Sequence, residues 1–76
     1  QKVQFDVAPG HSIIGSRVNE LGLPAKATLI KVRRGSVTIK PDQHTVIKLK
    51  DRLTVSIPQS RIPELEDVFT RWRRRV

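Results

Sequence analysis

The residues that could carry catalytic or metal-binding chemistry in this chain are few. Asp42 and His44 offer ligand atoms for a metal ion, but two ligands in one turn do not complete a zinc site, which normally takes about four. A polar turn is therefore the better interpretation of this pair. The serines have no histidine and acidic residue beside them in a nucleophile pattern, so acyl transfer finds no support. We expect that the chain is not an enzyme.

Basic residues are better candidates, because they can bind phosphate groups. Arg33 and Arg34 precede Gly35, and guanidinium groups match the geometry of phosphate oxygens. The alternative is that one arginine points to solvent from the end of a strand and the other belongs to the turn. Arg17 is a further cation that could face a ligand cleft.

The arginine-rich end of the chain has two interpretations. Residues 71–75 contain Trp72, which could stack on a base while the arginines neutralise phosphates, as in a single-strand binder. The spacing of Trp72 with Val68 and Phe69 instead favours the apolar side of a helix and packing in the core. The arginines could also face an anionic membrane surface or an acidic partner domain.

The charge of the whole chain suits an anionic partner without identifying it. Lysine and arginine total 15 against 7 acidic residues, which gives a formal net charge of +8. The pI near 11.2 is typical of proteins that bind phosphate, nucleic acid or an anionic membrane face. Five of the basic residues lie in the last sixteen positions, however, and a solvated basic tail accounts for that cluster.

The length of 76 residues leaves room for a single domain. Only 37% of the residues are hydrophobic and cysteine is absent, so the predicted core is thin and no disulfide strengthens it. Oligomerisation is the remaining way to stabilise a domain of this size. Because the chain begins at Gln1 and contains no methionine, we interpret residues 1–76 as one domain excised from a longer polypeptide.

The hydrophobic pattern predicts strands in most of the chain. Alternation over residues 3–7 predicts the first strand, and residues 16–21 predict a short helix that Ser16 caps. Residues 28–33 and 36–39 predict a hairpin around Arg34-Gly35. Two further extended pieces are predicted at residues 45–47 and 52–57.

The last segment has the spacing of an amphipathic helix, with Pro63 in its first turn and Ser60 as a candidate N-cap. The predicted class is therefore α+β, in the order β-α-β-β-β-α, with a small, mostly antiparallel sheet and packed helices. Two helices do not fully cover such a sheet. We expect an exposed apolar face or edge, and self-association that covers it.

Several motifs, in this order, are similar to those of one known family. Residues 15–24 combine a glycine, an apolar residue three positions later and a leucine-glycine-leucine-proline ending. Residues 28–35 end in an arginine-glycine turn, residues 41–47 begin with a proline turn, and residues 48–53 contain an aspartate, arginine, leucine segment. From about residue 3 to residue 69 the chain resembles the C-terminal domain of the regulators of potassium conductance, the RCK_C or TrkA C-terminal domain. Lys50 stands where this family often has glycine, which predicts a slightly different turn.

The resemblance implies regulation rather than catalysis. It implies a homodimer on the cytoplasmic side of the membrane, attached to a membrane transport domain or a Rossmann-type domain of a potassium channel, transporter or cation/proton antiporter. Some members bind cyclic di-AMP in the dimer cleft, and others sense other small ligands or only dimerise. Ligand binding then moves one protomer against its partner.

The resemblance also implies where a ligand, cyclic di-AMP or another small nucleotide, would bind. In members that bind the dinucleotide, the loop after the first helix and the strand that follows provide the contacts. Lys26 is the cation that this loop offers. Arg17 and Arg33 are added to the residues of this loop and strand. The predicted ligand-binding residues are Leu23, Pro24, Ala25, Lys26, Ala27, Thr28, Leu29, Ile30, Arg17 and Arg33.

Two alternatives remain open at this point. A basic nucleic-acid-binding module would account for the net charge, although nucleic acid is not the partner that we expect. A pure dimerisation element would self-associate without binding any ligand.

Overall fold

Alternating apolar and polar residues form four strands, and the apolar stripe near the end of the chain forms one α-helix. The structure, a computed structural model, describes residues 1–74. Its elements are β1 (Lys2–Asp6), a 3₁₀ helix (Val18–Glu20), β2 (Thr28–Arg34), β3 (Val37–Ile39), β4 (Arg52–Ser56), a second 3₁₀ helix (Gln59–Arg61) and α1 (Ile62–Trp72).

The four strands form one sheet in the order β1-β4-β2-β3, and every neighbouring pair is antiparallel. Residues directly opposite each other point to the same face of a sheet. Phe5 pairs with Leu53, and Leu53 pairs with Val32, so one face is a continuous apolar layer. These three side chains are buried. The sheet confirms the predicted α+β class.

The helix α1 contributes Leu65, Val68, Phe69 and Trp72 to the same core. The ring centroid of Phe5 lies 4.8 Å from that of Phe69 and 5.2 Å from that of Trp72. The Trp72 indole donates a hydrogen bond of 2.9 Å to the carbonyl of Leu21. Trp72 is therefore a core residue, as its spacing predicted, and it is not available to stack on a base.

The opposite face of the sheet is polar, so of the expected exposed apolar face or edge the face is wrong, whereas the exposed Val37 lies on the edge strand β3. Its exposed residues include Lys2, Gln4, Asp6, Lys31, Arg33, Thr38 and Arg52. Exposed apolar side chains lie elsewhere, in loops, at the edge of β3 and at an irregularity in β2; they are Ile14, Ile30, Val37, Val46 and Leu49. An antiparallel sheet commonly has one solvated face, and this sheet is of that kind.

The predicted helix over residues 16–21 is wrong in its extent. Only Val18–Glu20 is helical, as a single 3₁₀ turn that follows Arg17, and Ser16 does not cap it. The reason is that the preceding backbone pairs with the segment around residues 43–47. The Gly15 N–H donates to the Ile47 carbonyl at 2.8 Å, and Arg17 forms an isolated bridge with Val46. The brief extended piece predicted at residues 45–47 is this bridge.

Smaller differences affect the other boundaries. The first strand is Lys2–Asp6 rather than residues 3–7, and the last is Arg52–Ser56 rather than 52–57. The hairpin turn is Gly35-Ser36, with Gly35 at a φ of 62°, as in a type II′ turn. Ser60 does not cap α1, because a 3₁₀ turn precedes this helix, whereas Pro63 lies in its first turn as predicted.

Two further findings concern membrane-spanning helices and the arginine-rich end of the chain. Among residues 1–74, no helix is long and apolar enough to cross a bilayer. Arg71, Arg73 and Arg74 are exposed, and the Arg73 guanidinium lies 5.3 Å from the centre of the Phe5 ring. Arg75, the last member of the predicted arginine cluster, lies outside the described residues.

Candidate functional site

The loop that was predicted to bind a ligand is a tight turn followed by a strand. The Ala27 N–H donates a hydrogen bond of 3.1 Å to the Pro24 carbonyl, and Lys26 has a φ of 66°. A positive φ at the third residue is the mark of a type II turn. Lys26 is exposed, so the turn presents its ammonium group to solvent.

A β-bulge lies next to this turn. Leu29 pairs with Val55 and Lys31 pairs with Thr54, so Ile30 is an extra residue in β2. Its side chain is 37% exposed, although isoleucine is usually buried. Bulges often lie beside functional sites, where they redirect a side chain.

The structure divides the predicted ligand-binding residues by exposure. Leu29 belongs to the core, and Leu23 and Ala27 are half-buried against it. These three residues support the loop. The other members of the loop and strand are exposed or half-exposed and lie close together in sequence. They are Pro24, Ala25, Lys26, Thr28 and Ile30.

Arg17 and Arg33, the two arginines predicted to bind a ligand, lie in different elements of the fold. Arg17 is exposed at the start of the 3₁₀ helix, and its backbone N–H donates to the Glu20 carboxylate at 2.9 Å. Arg33 lies at the other end of β2, about 16 Å from Thr28 along the extended chain. Within one protomer, Arg33 is therefore remote from the loop of residues 23–28.

Arg33 instead lines an open cleft, here called the basic cleft, on the polar face of the sheet. The cleft has a volume of about 590 Å³ and is lined by Asp6, Arg33, Gly35, Lys50 and Arg52. Sequence reasoning missed Lys50 and Arg52 as candidates. The cross-strand register of β2 and β4, which places Arg33 opposite Arg52, was the missing information.

Comparison with protein families identifies the whole fold. The family model of the TrkA-C domain matches residues 2–70. The chain belongs to the TrkA-C domain family. The domains of this family, also called RCK_C domains, are regulatory. No curated protein sequence matches the chain.

Solved structures with the same fold include ligand complexes. The RCK_C domain dimer of S. agalactiae BusR in complex with c-di-AMP is 17% identical, with a TM-score of 0.70, and the match covers 91% of this chain and 95% of that one. An RCK domain with cda is 16% identical, with a TM-score of 0.60, over 86% of this chain and 94% of that one. At these identities the likeness establishes the fold.

A third structure bears on the expectation that nucleic acid is not a partner. S. agalactiae BusR in complex with its busAB-promotor DNA is 16% identical, with a TM-score of 0.70, over 92% of this chain. The match covers 36% of the DNA-bound chain. A protein that contains this fold in part of its length thus binds DNA.

An ion pair between the partly exposed Arg34 and the buried Asp51 joins the end of β2 to the turn before β4 in this TrkA-C domain. Asp51 is fully buried, and Arg34 donates to its two carboxylate oxygens at 2.8 and 2.7 Å. The Arg34 guanidinium also donates to the Val46 carbonyl at 3.0 Å, and the Lys48 N–H donates to Asp51 at 2.9 Å. Arg34 is therefore occupied by a structural contact, so Arg33 is the member of the pair that remains free for a ligand.

The ion pair shifts the pKa of both partners. Burial by itself raises the pKa of Asp51, but the hydrogen bonds from Arg34 and from the Lys48 N–H outweigh it, and the pKa lies below its ordinary value. The hydrogen bond to Asp51 raises the pKa of Arg34 against the opposing effect of desolvation. Both groups are therefore charged at neutral pH.

The segment around Asp42 and His44 is a turn, as predicted. The Asp42 carboxylate accepts a hydrogen bond of 2.8 Å from the His44 N–H, which is the geometry of an Asx turn. Over the part of the chain that the structure describes, no three histidine, cysteine or acidic side chains are grouped as metal ligands.

Replacing Asp51 should lower stability and change its pH dependence. We expect Asp51→Asn to cost about 3 kcal/mol, because Arg34 loses the carboxylate that it binds. A carboxylate with a lowered folded pKa stabilises above its unfolded pKa of about 3.9, and that stability is lost as pH falls through the lower folded value. Urea unfolding between pH 7 and pH 2 should therefore show a steeper acid loss for the parent chain than for Asp51→Asn.

Asp6→Asn is the matched control, since it also removes one carboxylate from an arginine. Its ion pair with Arg52 is 2.8 Å long but exposed on both sides. Such pairs contribute roughly 0–1 kcal/mol. Equal losses for Asp51→Asn and Asp6→Asn would contradict the central role of the buried pair.

Proposed function

We propose that this TrkA-C domain is a dimeric regulatory domain that binds cyclic di-AMP or a related small nucleotide at the turn of residues 24–27 and the bulge at Ile30. The observation that carries the proposal is the exposed pair of Lys26 and Ile30, which a type II turn and a β-bulge direct to solvent. The pair combines a cation for a phosphate group with an apolar surface for a base.

The symmetry of the ligand suits a dimer. Cyclic di-AMP consists of two identical halves related by a twofold axis, and a homodimer with an isologous interface has the same symmetry. Each protomer would then offer one Lys26 to one phosphate and one Ile30 to one adenine. The dimer of the BusR domain in its c-di-AMP complex supports this arrangement by likeness of fold.

The mechanism is regulatory and involves no covalent step. A ligand that binds between two protomers favours the arrangement to which it binds more tightly, and the shift of population is the output. An attached domain that senses the arrangement of the protomers would be controlled in this way. The domain itself would hold no catalytic group.

The parent protein that we propose is a potassium channel, transporter or cation/proton antiporter. Residues 1–76 would form one domain of it, on the cytoplasmic side of the membrane, next to a transport domain or a Rossmann-type domain. The family supports this context, because the resemblance is to the C-terminal domain of regulators of potassium conductance.

The dimer is tested by light scattering coupled to size-exclusion chromatography. The chain has a mass of 8.7 kDa, and we expect a particle of twice that mass at high concentration. Val37→Lys and Ile30→Lys each place a charge on an exposed apolar position, at the edge strand and at the bulge. The variant that lowers the mass identifies the interface. A strict monomer at millimolar concentration would contradict the dimer.

Ligand binding is tested by calorimetric titration with cyclic di-AMP. We expect Lys26→Gln to weaken binding at least about tenfold, since a charge-assisted hydrogen bond to phosphate contributes about 1.5–3 kcal/mol. Lys48→Gln is the control, because it removes one exposed lysine whose backbone N–H contacts Asp51, the partner of Arg34 at the opposite end of β2 from the turn. No heat at micromolar ligand with a dimeric parent chain would dismiss cyclic di-AMP and leave a dimerisation element.

Binding to DNA is the second candidate function, and the BusR complex with promotor DNA together with the net charge of +8 favours it. Fluorescence anisotropy with a labelled duplex at several salt concentrations measures it. If the domain binds DNA, log affinity should fall linearly with log salt, and Arg71→Gln with Arg74→Gln should reduce the slope by about 2. Absence of binding at low salt would remove this candidate.

A further inference from the structure

The basic cleft is formed by a row of charged residues across the polar face of the sheet. Asp6 on β1 lies opposite Arg52 on β4, and Arg52 lies opposite Arg33 on β2. Lys50, in the turn that leads into β4, and Gly35, in the hairpin turn, complete the lining. The cleft is thus assembled from three strands and two turns of one protomer.

The charges in this row are not balanced. The Arg52 guanidinium donates to the Asp6 carboxylate at 2.8 Å. Arg33 has no carboxylate within ion-pair distance among residues 1–74. Asp6 thus offsets the charge of Arg52, and Arg33 is the cation of this row that a bound anion would neutralise.

Lys50 supplies a second, independent observation. Its φ is 70°, in the left-handed region where a residue with a Cβ is strained and glycine is not. Its N–H donates to the Val7 carbonyl at 2.9 Å, so the turn is held in this conformation. A strained lysine whose side chain lines a basic cleft is the pattern expected where the side chain has a function.

We propose that the basic cleft binds the phosphate groups of a small anion, with Arg33 and Lys50 as the residues that contact it. The guanidinium group of Arg33 suits two phosphate oxygens, and the ammonium group of Lys50 adds a point charge. Arg52 is held in place by Asp6, and the net positive charge of the lining comes from Arg33 and Lys50. Gly35, with a φ of 62°, contributes the backbone of the hairpin turn to the lining of the cleft.

This site differs from the nucleotide site proposed above and does not depend on it. The turn at Lys26 and the basic cleft lie at opposite ends of β2. Either proposal can therefore be contradicted while the other stands. Inorganic pyrophosphate is the probe for the basic cleft, because it carries the phosphate chemistry without a base or a sugar.

The experiment follows backbone amide shifts by NMR during titration with pyrophosphate at constant ionic strength. We expect the largest shifts at Arg33, Gly35 and Lys50. Arg33→Gln and Lys50→Gly should each weaken pyrophosphate binding about fivefold, whereas Lys40→Gln, which removes an equal charge outside the cleft, should leave it unchanged. A parallel titration with ADP separates the sources: equal affinity indicates that the phosphates alone are bound, and tighter binding indicates a nucleotide.

Lys50→Gly also separates a loss of affinity from a loss of folding. Glycine suits a φ of 70°, so this variant should melt about 3 °C above the parent chain while it loses affinity for pyrophosphate. Lys26 has a similar φ of 66°, and Lys26→Gly should likewise be stabilised but should retain pyrophosphate binding. Equal loss in Lys50→Gly, Lys26→Gly and Lys40→Gln would mean diffuse attraction by net charge and would overturn the proposal. Absence of shifts in the cleft of the parent chain would overturn it as well.

Discussion

The contact on which the rest of the structure depends is the ion pair of the buried Asp51 carboxylate with Arg34. It joins the end of β2 to the turn before β4, and the same arginine holds the loop at Val46. A domain of this size has a thin core and a small margin of stability, so leaving either charge of this pair without its partner would be a large loss. Every polar atom of the pair that is buried has a partner among the described residues. The turn that carries Lys50, and with it one wall of the basic cleft, is held by this network.

The two faces of the sheet differ in composition, and on the polar face most side chains are exposed, with Thr54 as a buried exception. Phe5, Val32, Leu53 and Val55 face α1 and the aromatic cluster, whereas the opposite face carries charges. Changes on the polar face therefore leave the core intact. Exposed positions of this kind can vary without disturbing the fold, and the same fold occurs both in a domain dimer bound to c-di-AMP and in a protein bound to DNA.

Strands and the last helix were predictable because their signals are local. Alternation in β1 and β4, and the spacing of Leu65, Val68, Phe69 and Trp72 in α1, follow directly from side-chain periodicity. The segment at residues 16–21 was not predictable in this way, because its backbone hydrogen bonds go to residues about 30 positions later. The two candidate sites differ in the same way in how far the sequence predicted them. The turn at Lys26 was found by family resemblance, but the basic cleft needed the register of β2 against β4 and the φ of Lys50, which no local pattern reveals.

Trp72 is the only tryptophan of the chain, and its position makes it an internal reporter of the fold. Its ring packs against Phe5 of β1 and Phe69 of α1, and its N–H reaches the carbonyl of Leu21 just after the first 3₁₀ helix. Its carbonyl in turn accepts hydrogen bonds from the backbone and hydroxyl groups of Ser12. The emission of one indole therefore senses the sheet, the helix and the loop over residues 8–13 at once. Optical spectroscopy can follow the entire core without an added label.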